Sequence, residues 1–264
     1  RVATTDVTML RPRNVSSLNE DKGMVTLNFA DHASLSAQLL VQAEGGIYNE
    51  QTKKTLHRDY EQTAIVAHVN VDAAIAHRAY ERFTDEGPLA LLPQEEGYAL
   101  VWCVRPKTAE RLLALPDATF LQELGHAFGT RLGNFTGCSK RNSFPLGLNA
   151  KPDTSERLIA IGNAAQTLHP VAGQGLNLGL RDAAVLAQLL GTHAIPDALQ
   201  KFAEKRRTDR NTTIHLTDLM ARVFADNARG IVSQTLLGVS LGVVDALQPA
   251  KKFLAEQMMF GRRP

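Results

Sequence analysis

Cysteine is scarce in these 264 residues: only Cys103 and Cys138 are present, at a spacing that matches no metal-binding or redox motif. A disulfide scaffold or a bound metal is therefore not expected, and a reducing cytoplasm fits. Charge of one sign is also lacking. With 29 Lys+Arg against 27 Asp+Glu, the net charge of +2 is too small and too dispersed to hold a nucleic acid. No apolar run reaches the roughly 18 residues that span a bilayer, and no basic-then-apolar leader opens the chain. Ile231 to Val244 comes closest, at 14 uncharged residues. A Gly-x-Ser-x-Gly elbow, a His-Glu-x-x-His pair and a Walker loop are all missing, which leaves hydrolase, zincin and kinase chemistry without support. What is present is the balance of a globular protein of one or two domains, 44% hydrophobic and 21% charged.

Val25, Leu27 and Phe29 alternate with polar neighbours, the period of a half-buried strand, and Asp31-His32 supplies a turn. The return stretch 37–43 is more continuously apolar, as in a strand covered on both faces, and stops at Glu44-Gly45-Gly46. Strands are predicted over 63–71 and 98–104, so a sheet occupies the middle of the chain. Asp117 is placed to cap a helix with Phe120, Leu121, Leu124, Phe128 and Leu132 on its apolar face, ending at Gly133. A short strand at 158–161 leads into a Gly- and Pro-containing loop over 162–175. A helix over 176–190 follows, with Leu176, Leu180, Ala183, Ala187 and Leu190 on one side. From Asp197 the pattern is one long helix or two shorter ones closing near Gly230, with Leu199, Phe202, Leu216, Leu219, Met220, Val223 and Phe224 as core.

The most informative stretch runs from Ile161 to Asp182. A strand feeding a loop that carries Gly173 and Gly175 lets backbone approach a planar or anionic ligand, and the helix that follows aims its free N–H groups there. Gly162-Asn163-Ala164-Ala165, through His169-Pro170 to Gly173-Gln174-Gly175-Leu176-Asn177, resembles the second flavin-binding motif of the class A flavoprotein aromatic hydroxylases, the family of 4-hydroxybenzoate hydroxylase. Most members have Asp at the place of Asn163 and His at that of Gln166. The wording Asn-Ala-Ala-Gln-Thr-Leu-His-Pro is similar to the ubiquinone-biosynthesis branch. So are Glu81-Arg-Phe-Thr84, Gly87-Pro-Leu-Ala90, Leu100-Val-Trp-Cys103, and Lys140-Arg141 ahead of Phe144-Pro145-Leu146.

The resemblance implies an α/β fold of the 4-hydroxybenzoate hydroxylase type, with a split flavin domain, a mixed β-sheet substrate domain and C-terminal helices. The implied division is 1–47 and 157–192 for the flavin part, 48–156 for the substrate part and 193–264 for the helical end. Asn163 would meet ribityl or ribose hydroxyls and Pro170 the isoalloxazine ring. Gly162, Gly173, Gln174, Gly175, Leu176 and Asn177 would complete the flavin edge of the site. The family's Ala-Asp-Gly triplet corresponds to Ala43-Glu44-Gly45, where the longer Glu44 either contacts cofactor or is a charged turn residue. The family's first motif, Gly-x-Gly-x-x-Gly, occurs nowhere in the sequence, which also opens on Arg1. The expectation is a piece of a larger flavoprotein.

The implied activity is an FAD-dependent monooxygenase that uses NADPH or NADH and dioxygen to hydroxylate a polyprenylated phenol of the 2-octaprenyl-6-methoxyphenol type. The alternative is a non-catalytic lipid-binding or assembly module of a ubiquinone-biosynthesis complex. Phe83, Leu89, Trp102 and Phe144 are the expected substrate-lining residues. His169 reads either as a proton-transfer group or as a positioning residue beside Pro170. Arg141 could meet a phenolate or form a surface salt bridge. Lys201, Lys205, Arg206, Arg207 and Arg210 recur along one helix, as an anion-facing stripe or a solvated face. The segment 231–263, with Lys251, Lys252, Arg262 and Arg263, could contact a membrane surface or be a core helix, and the expected location is cytoplasmic, peripheral to the inner membrane.

Overall fold

A computed structural model describes residues 5–21, 23–43, 56–150 and 155–225, with short stretches at 246–249, 251–252 and 255–256. Glu44 and the segment Ile231 to Val244 lie outside the described residues, as do Arg262 and Arg263.

Three antiparallel strands, β1 (Val15–Asp21), β2 (Met24–Phe29) and β3 (Leu35–Ala37), form the first sheet. The stretch expected to return as one strand is divided. Ala37 pairs with Val25 in β3, whereas β4 (Leu40–Gln42) leaves that sheet and pairs in parallel with β11 (Leu158–Ala160). Parallel strands need a long crossover. Here the connection contains the large sheet, and the two pieces of chain that carry the glycine loop thereby meet side by side.

The large sheet runs in the order β10 (Asn142–Ala150), β5 (Leu56–Val71), β8 (Gly97–Val104), β7 (Pro88–Gln94), β6 (Tyr80–Phe83), with β9 (Phe135–Cys138) also on β5. All of its pairings are antiparallel. Side chains alternate across each strand, so one face presents Ile65, Val69, Leu89, Leu91, Leu100 and Trp102 to α1 (Pro106–Ala114) and α2 (Asp117–Phe128). Phe120, Leu124 and Phe128 of α2 fill that core, as their spacing requires. Asp117 is the first helical residue rather than the cap, and the helix stops at Gly129, with Leu132 buried in a separate 3₁₀ turn.

The second core lies under β4 and β11. Leu39, Val41 and Ile159 pack on Leu186 and Leu189 of α3 (Gly175–Leu190) and on Ala198, Leu199 and Phe202 of α4 (Ile195–Ala225). The buried side of α3 is Leu178, Asp182, Leu186 and Leu189. Leu176 and Leu180, which the spacing puts together on one side, are 72% and 61% exposed. The helix is apolar on both sides, and position alone does not say which side meets the core. Along α4 the inward face is Ala198, Leu199, Phe202, Arg206, Asp209, Thr213, Ile214, Thr217, Asp218 and Ala221, while Leu219 is exposed. Met220, Val223 and Phe224 have side chains outside the described set.

Candidate functional site

Between the second face of the large sheet and the 162–175 loop lies a cavity of about 1120 Å³. Ala79, Glu81, Phe83, Ala90, Leu92 and Val101 form its sheet wall, and the loop and the start of α3 form the other. The wall is mostly apolar, because alternation on β7 and β8 sends Ala90, Leu92 and Val101 to the side opposite the core.

That alternation corrects part of the expected substrate lining. Phe83 does line the cavity, but Leu89 and Trp102 are one residue out of phase and lie in the core between the sheet and α2. Phe144 is 55% exposed on β10 and is not part of the cavity wall. Strands with apolar residues at consecutive positions carry no readable period, so sequence alone assigned them to the wrong face.

The loop is built by short-range constraints. Gly162 follows β11 with φ +60, and a Cβ added at Gly179 would lie 3.2 Å from the Gly162 Cα, so this pair lets the loop lie directly on α3. Pro170 to Ala172 makes a 3₁₀ turn ended by Gly173 at φ +59. A Cβ at Gly173 would meet no protein atom within 4 Å, so the space in front of it is open cavity. Helix α3 then begins with no side-chain cap and no acidic residue in its first turn. Its first N–H groups retain donor capacity and positive potential at the cavity edge, which suits a planar group carrying carbonyls or developing negative charge. Gly162, Asn163, Pro170, Gly173, Gln174, Gly175 and Leu176 all line the cavity, while Asn177 does not. An uncapped helix start, a glycine facing open space and an apolar opposing wall fit the isoalloxazine end of a flavin.

His169 is 2% exposed. Its Nδ1 accepts the Val171 N–H at 3.1 Å, which leaves the proton on Nε2 to donate to Gln62 Oε1 at 2.8 Å. Gln62 in turn donates to the Glu86 carbonyl. Burial pushes the imidazole pKa down to about 4, and the Tyr60 ring meets it edge-on at 5.1 Å. With both nitrogens engaged and the ring neutral, His169 pins the Pro170 turn to β5; of its two roles, the positioning one matches this geometry.

A second anchor was not foreseen. Asp182, fully buried on α3, accepts from Gly162 N–H at 3.3 Å and Gln166 Nε2 at 3.2 Å, and from Arg206 Nε at 2.7 Å and Arg210 Nη2 at 2.8 Å on α4. Burial alone would raise its pKa, but the hydrogen bonds and charges of Arg210 and Arg206 outweigh that and hold it below the usual carboxylate value. Asp209 completes the network with Arg206 at 2.5 Å and Arg181 at 2.9 Å. The expected basic stripe on α4 is thus divided: Arg206 and Arg210 point inward, and Lys201, Lys205 and Arg207 are exposed. Arg141 is also occupied. It donates to the Leu112 and Leu115 carbonyls and to Asp117 at the junction of α1 and α2, away from the cavity.

A family model described as FAD binding domain matches residues 1–215. The ubiquinone hydroxylase UbiL of Rhodospirillum rubrum is 34% identical over 266 residues, covering 96% of this chain and 61% of that protein. The human ubiquinone biosynthesis monooxygenase COQ6, mitochondrial, is 26% identical over 274 residues, covering 86% of this chain and 58% of that protein. The chain therefore spans about three fifths of the length of these relatives. Among solved structures, OxyS anhydrotetracycline hydroxylase from Streptomyces rimosus superposes with a TM-score of 0.70 at 18% identity, over 98% of this chain and 54% of its own. Klebsiella pneumoniae HpxO, complexed with FAD and uric acid, gives 0.68 at 17% identity, over 87% of this chain and 62% of its own. The expected fold, that of the FAD-dependent aromatic hydroxylases, is present. With the match extending over most of its length and across both walls of the cavity, the chain belongs to the FAD binding domain family.

Proposed function

We propose that this chain forms the isoalloxazine and substrate side of an FAD-dependent monooxygenase that hydroxylates the ring of a polyprenylated phenol in ubiquinone biosynthesis. The observation that carries the proposal is the cavity itself, which sets an apolar sheet wall opposite a glycine loop and an uncapped helix start. The names of the relatives, a ubiquinone hydroxylase and a ubiquinone biosynthesis monooxygenase, supply the substrate class. The proposed division is a flavin part at 1–47 and 157–192, a substrate part at 48–156 and a helical end at 193–264.

FAD, reduced by NADPH or NADH and reoxidised by dioxygen, supplies the oxygen-transfer chemistry when bound. The protein's work is to bind, orient and exclude water. Gly173, Gly175 and Leu176 would offer backbone to the flavin's pyrimidine edge, where the α3 N-terminus would stabilise negative charge without a titrating group. Pro170, fixed by His169, would lie against the ring, and Asn163 would offer a neutral amide to a ribityl or ribose hydroxyl. Phe83, Ala90, Leu92 and Val101 make the apolar wall on which a phenol ring would rest. The exposed Leu176 and Leu180, at the cavity edge, suit an isoprenoid tail. Such a substrate resides in a bilayer, which favours a cytoplasmic enzyme peripheral to the inner membrane with 231–263 as the contact; among the described residues, no helix is long and apolar enough to cross a membrane. Incubating the FAD-loaded protein with NADPH and a short-chain prenylphenol tests the proposal. A product heavier by one oxygen atom is expected, and NADPH oxidation that yields only hydrogen peroxide contradicts it.

A further inference from the structure

Among the described residues, Glu81 is the one carboxylate on the cavity wall, and none of them is its hydrogen-bond or ion-pair partner. It stands on β6 opposite Ala90 of β7, on the same strand face as Phe83, with the apolar wall around it and water reaching it through the cavity mouth. Glu81 is exposed to the water of the cavity, and a ring laid on the wall would displace that water, so the carboxylate would then need a partner. We propose that Glu81 is a catalytic residue that accepts the proton of the substrate's phenol hydroxyl, the ring lying between the sheet wall and the 162–175 loop. This assignment rests on the phenol-hydroxylase reading given above.

The other polar groups on the wall are unsuited to the task. Both nitrogens of His169 are engaged, Asn163 and Gln174 are amides, Thr167 is a hydroxyl, and the Tyr80 ring packs edge-on against Phe128 in the core. In the step itself the phenol O–H bond breaks, its electron pair stays on oxygen, and the proton bonds to the Glu81 carboxylate. Nothing is oxidised or reduced, and the proton later leaves to water at the mouth. The resulting phenolate is the more electron-rich ring and the better acceptor of an electrophilic oxygen.

Loss of hydration against the apolar wall pushes the Glu81 carboxyl up to about 7. Against a phenol near 10, an ordinary carboxylate is too weak a base by a factor of roughly 10⁵ to 10⁶, whereas one at about 7 is too weak by roughly 10³, a gap that general-base catalysis can use. Among the described residues, the Cys103 thiol on β8, raised to about 12 by burial and by the Glu81 charge, interacts with Glu81, and His169 on the loop, at about 4, shares the cavity with it. Neither changes charge near neutrality. Arg82 turns to the other side of β6 and donates to the Phe128 carbonyl, and the Glu86 carboxylate accepts from the Arg105 N–H and the Thr108 hydroxyl.

The test uses FAD-loaded protein and 2-methoxy-6-prenylphenol, with flavin content read from visible absorbance, phenol binding from near-ultraviolet difference spectra, and hydroxylation from product. The wild-type kcat/KM is expected to rise with pH through an apparent pKa near 7. Glu81→Gln should keep its flavin and bind the phenol within a few-fold of wild type, yet lose that limb and roughly 100-fold or more in rate at pH 7. Glu81→Asp should retain the limb at a reduced rate, which decides the matter if the Gln variant loses its flavin. A Gln variant that keeps the wild-type limb, or an Asp variant without one, overturns the assignment. If wild-type protein takes up flavin or phenol in neither case, the hydroxylase reading falls and this assignment with it. If both bind and Glu81→Gln behaves as wild type, the assignment to Glu81 alone falls.

Discussion

Single residues at this site act mostly by what they permit. Gly173 sits at φ +59, where a side chain crowds the following carbonyl. Gly173→Ala should lower the unfolding free energy by about 1 kcal/mol, measurable by urea denaturation. His169 acts through its neutrality. Its folded pKa of about 4 lies below the unfolded value of 6.5, so the stability it contributes is present above pH 6.5 and is lost as pH falls through 4. The shift corresponds to about 3 kcal/mol at most. Thermal unfolding of the wild type should fall more steeply between pH 6.5 and 4 than that of His169→Gln, and equal slopes would refute this role. Asn163, Pro170 and the glycines were legible in the sequence because a tight turn and a helix start are local, with their constraints a few residues apart. Glu81 was legible only as part of a phrase: its isolation in the wall depends on Ala90 and Val101 from two other strands.

At the scale of elements, the loop is held by two anchors of different kinds. The His169–Gln62 contact ties it to β5, and Asp182 ties it to α3 and α4. Removing one partner from a buried ion network leaves uncompensated charge, so Asp182→Ala should cost about 3–5 kcal/mol in denaturant unfolding. It should also weaken flavin binding, because the Gly162 N–H and the Gln166 amide lose their acceptor. A loss below 1 kcal/mol would mean that Arg206 and Arg210 find other partners. This network could not be read from the sequence, since its members sit on two helices that meet only after folding, and basic residues along α4 read equally well as a solvated face. The sides of β7 and β8 were hidden for another reason. Leu89-Ala-Leu-Leu92 and Leu100-Val-Trp-Cys103 are apolar at every position, so the two-residue period that assigns faces was absent, and Leu89 and Trp102 were placed in the site rather than in the core.

At the scale of the whole molecule, the parallel pairing of β4 with β11 is the decisive feature. It brings the chain back across the large sheet, so that the loop at 162–175 faces the wall formed by β6, β7 and β8. The α/β character and the strand, loop and helix around the second flavin motif were foreseen; the division of 37–43 into β3 and β4 was not, because two short strands joined by two residues read as one apolar run. The central claim is that the loop and the α3 N-terminus hold the isoalloxazine end of FAD. The most direct measurement is an FAD titration followed by the flavin visible bands, comparing wild type with Gly175→Glu. A Cβ at Gly175 meets only Asn163 Oδ1, at 3.8 Å, and an acid in a first turn favours the helix, so this variant should fold while its carboxylate occupies the helix start. A saturable, one-to-one perturbation of the flavin bands by wild-type protein, weakened at least tenfold in Gly175→Glu, is the predicted result. No saturable perturbation with the wild type, or an equal one with the variant, would contradict it.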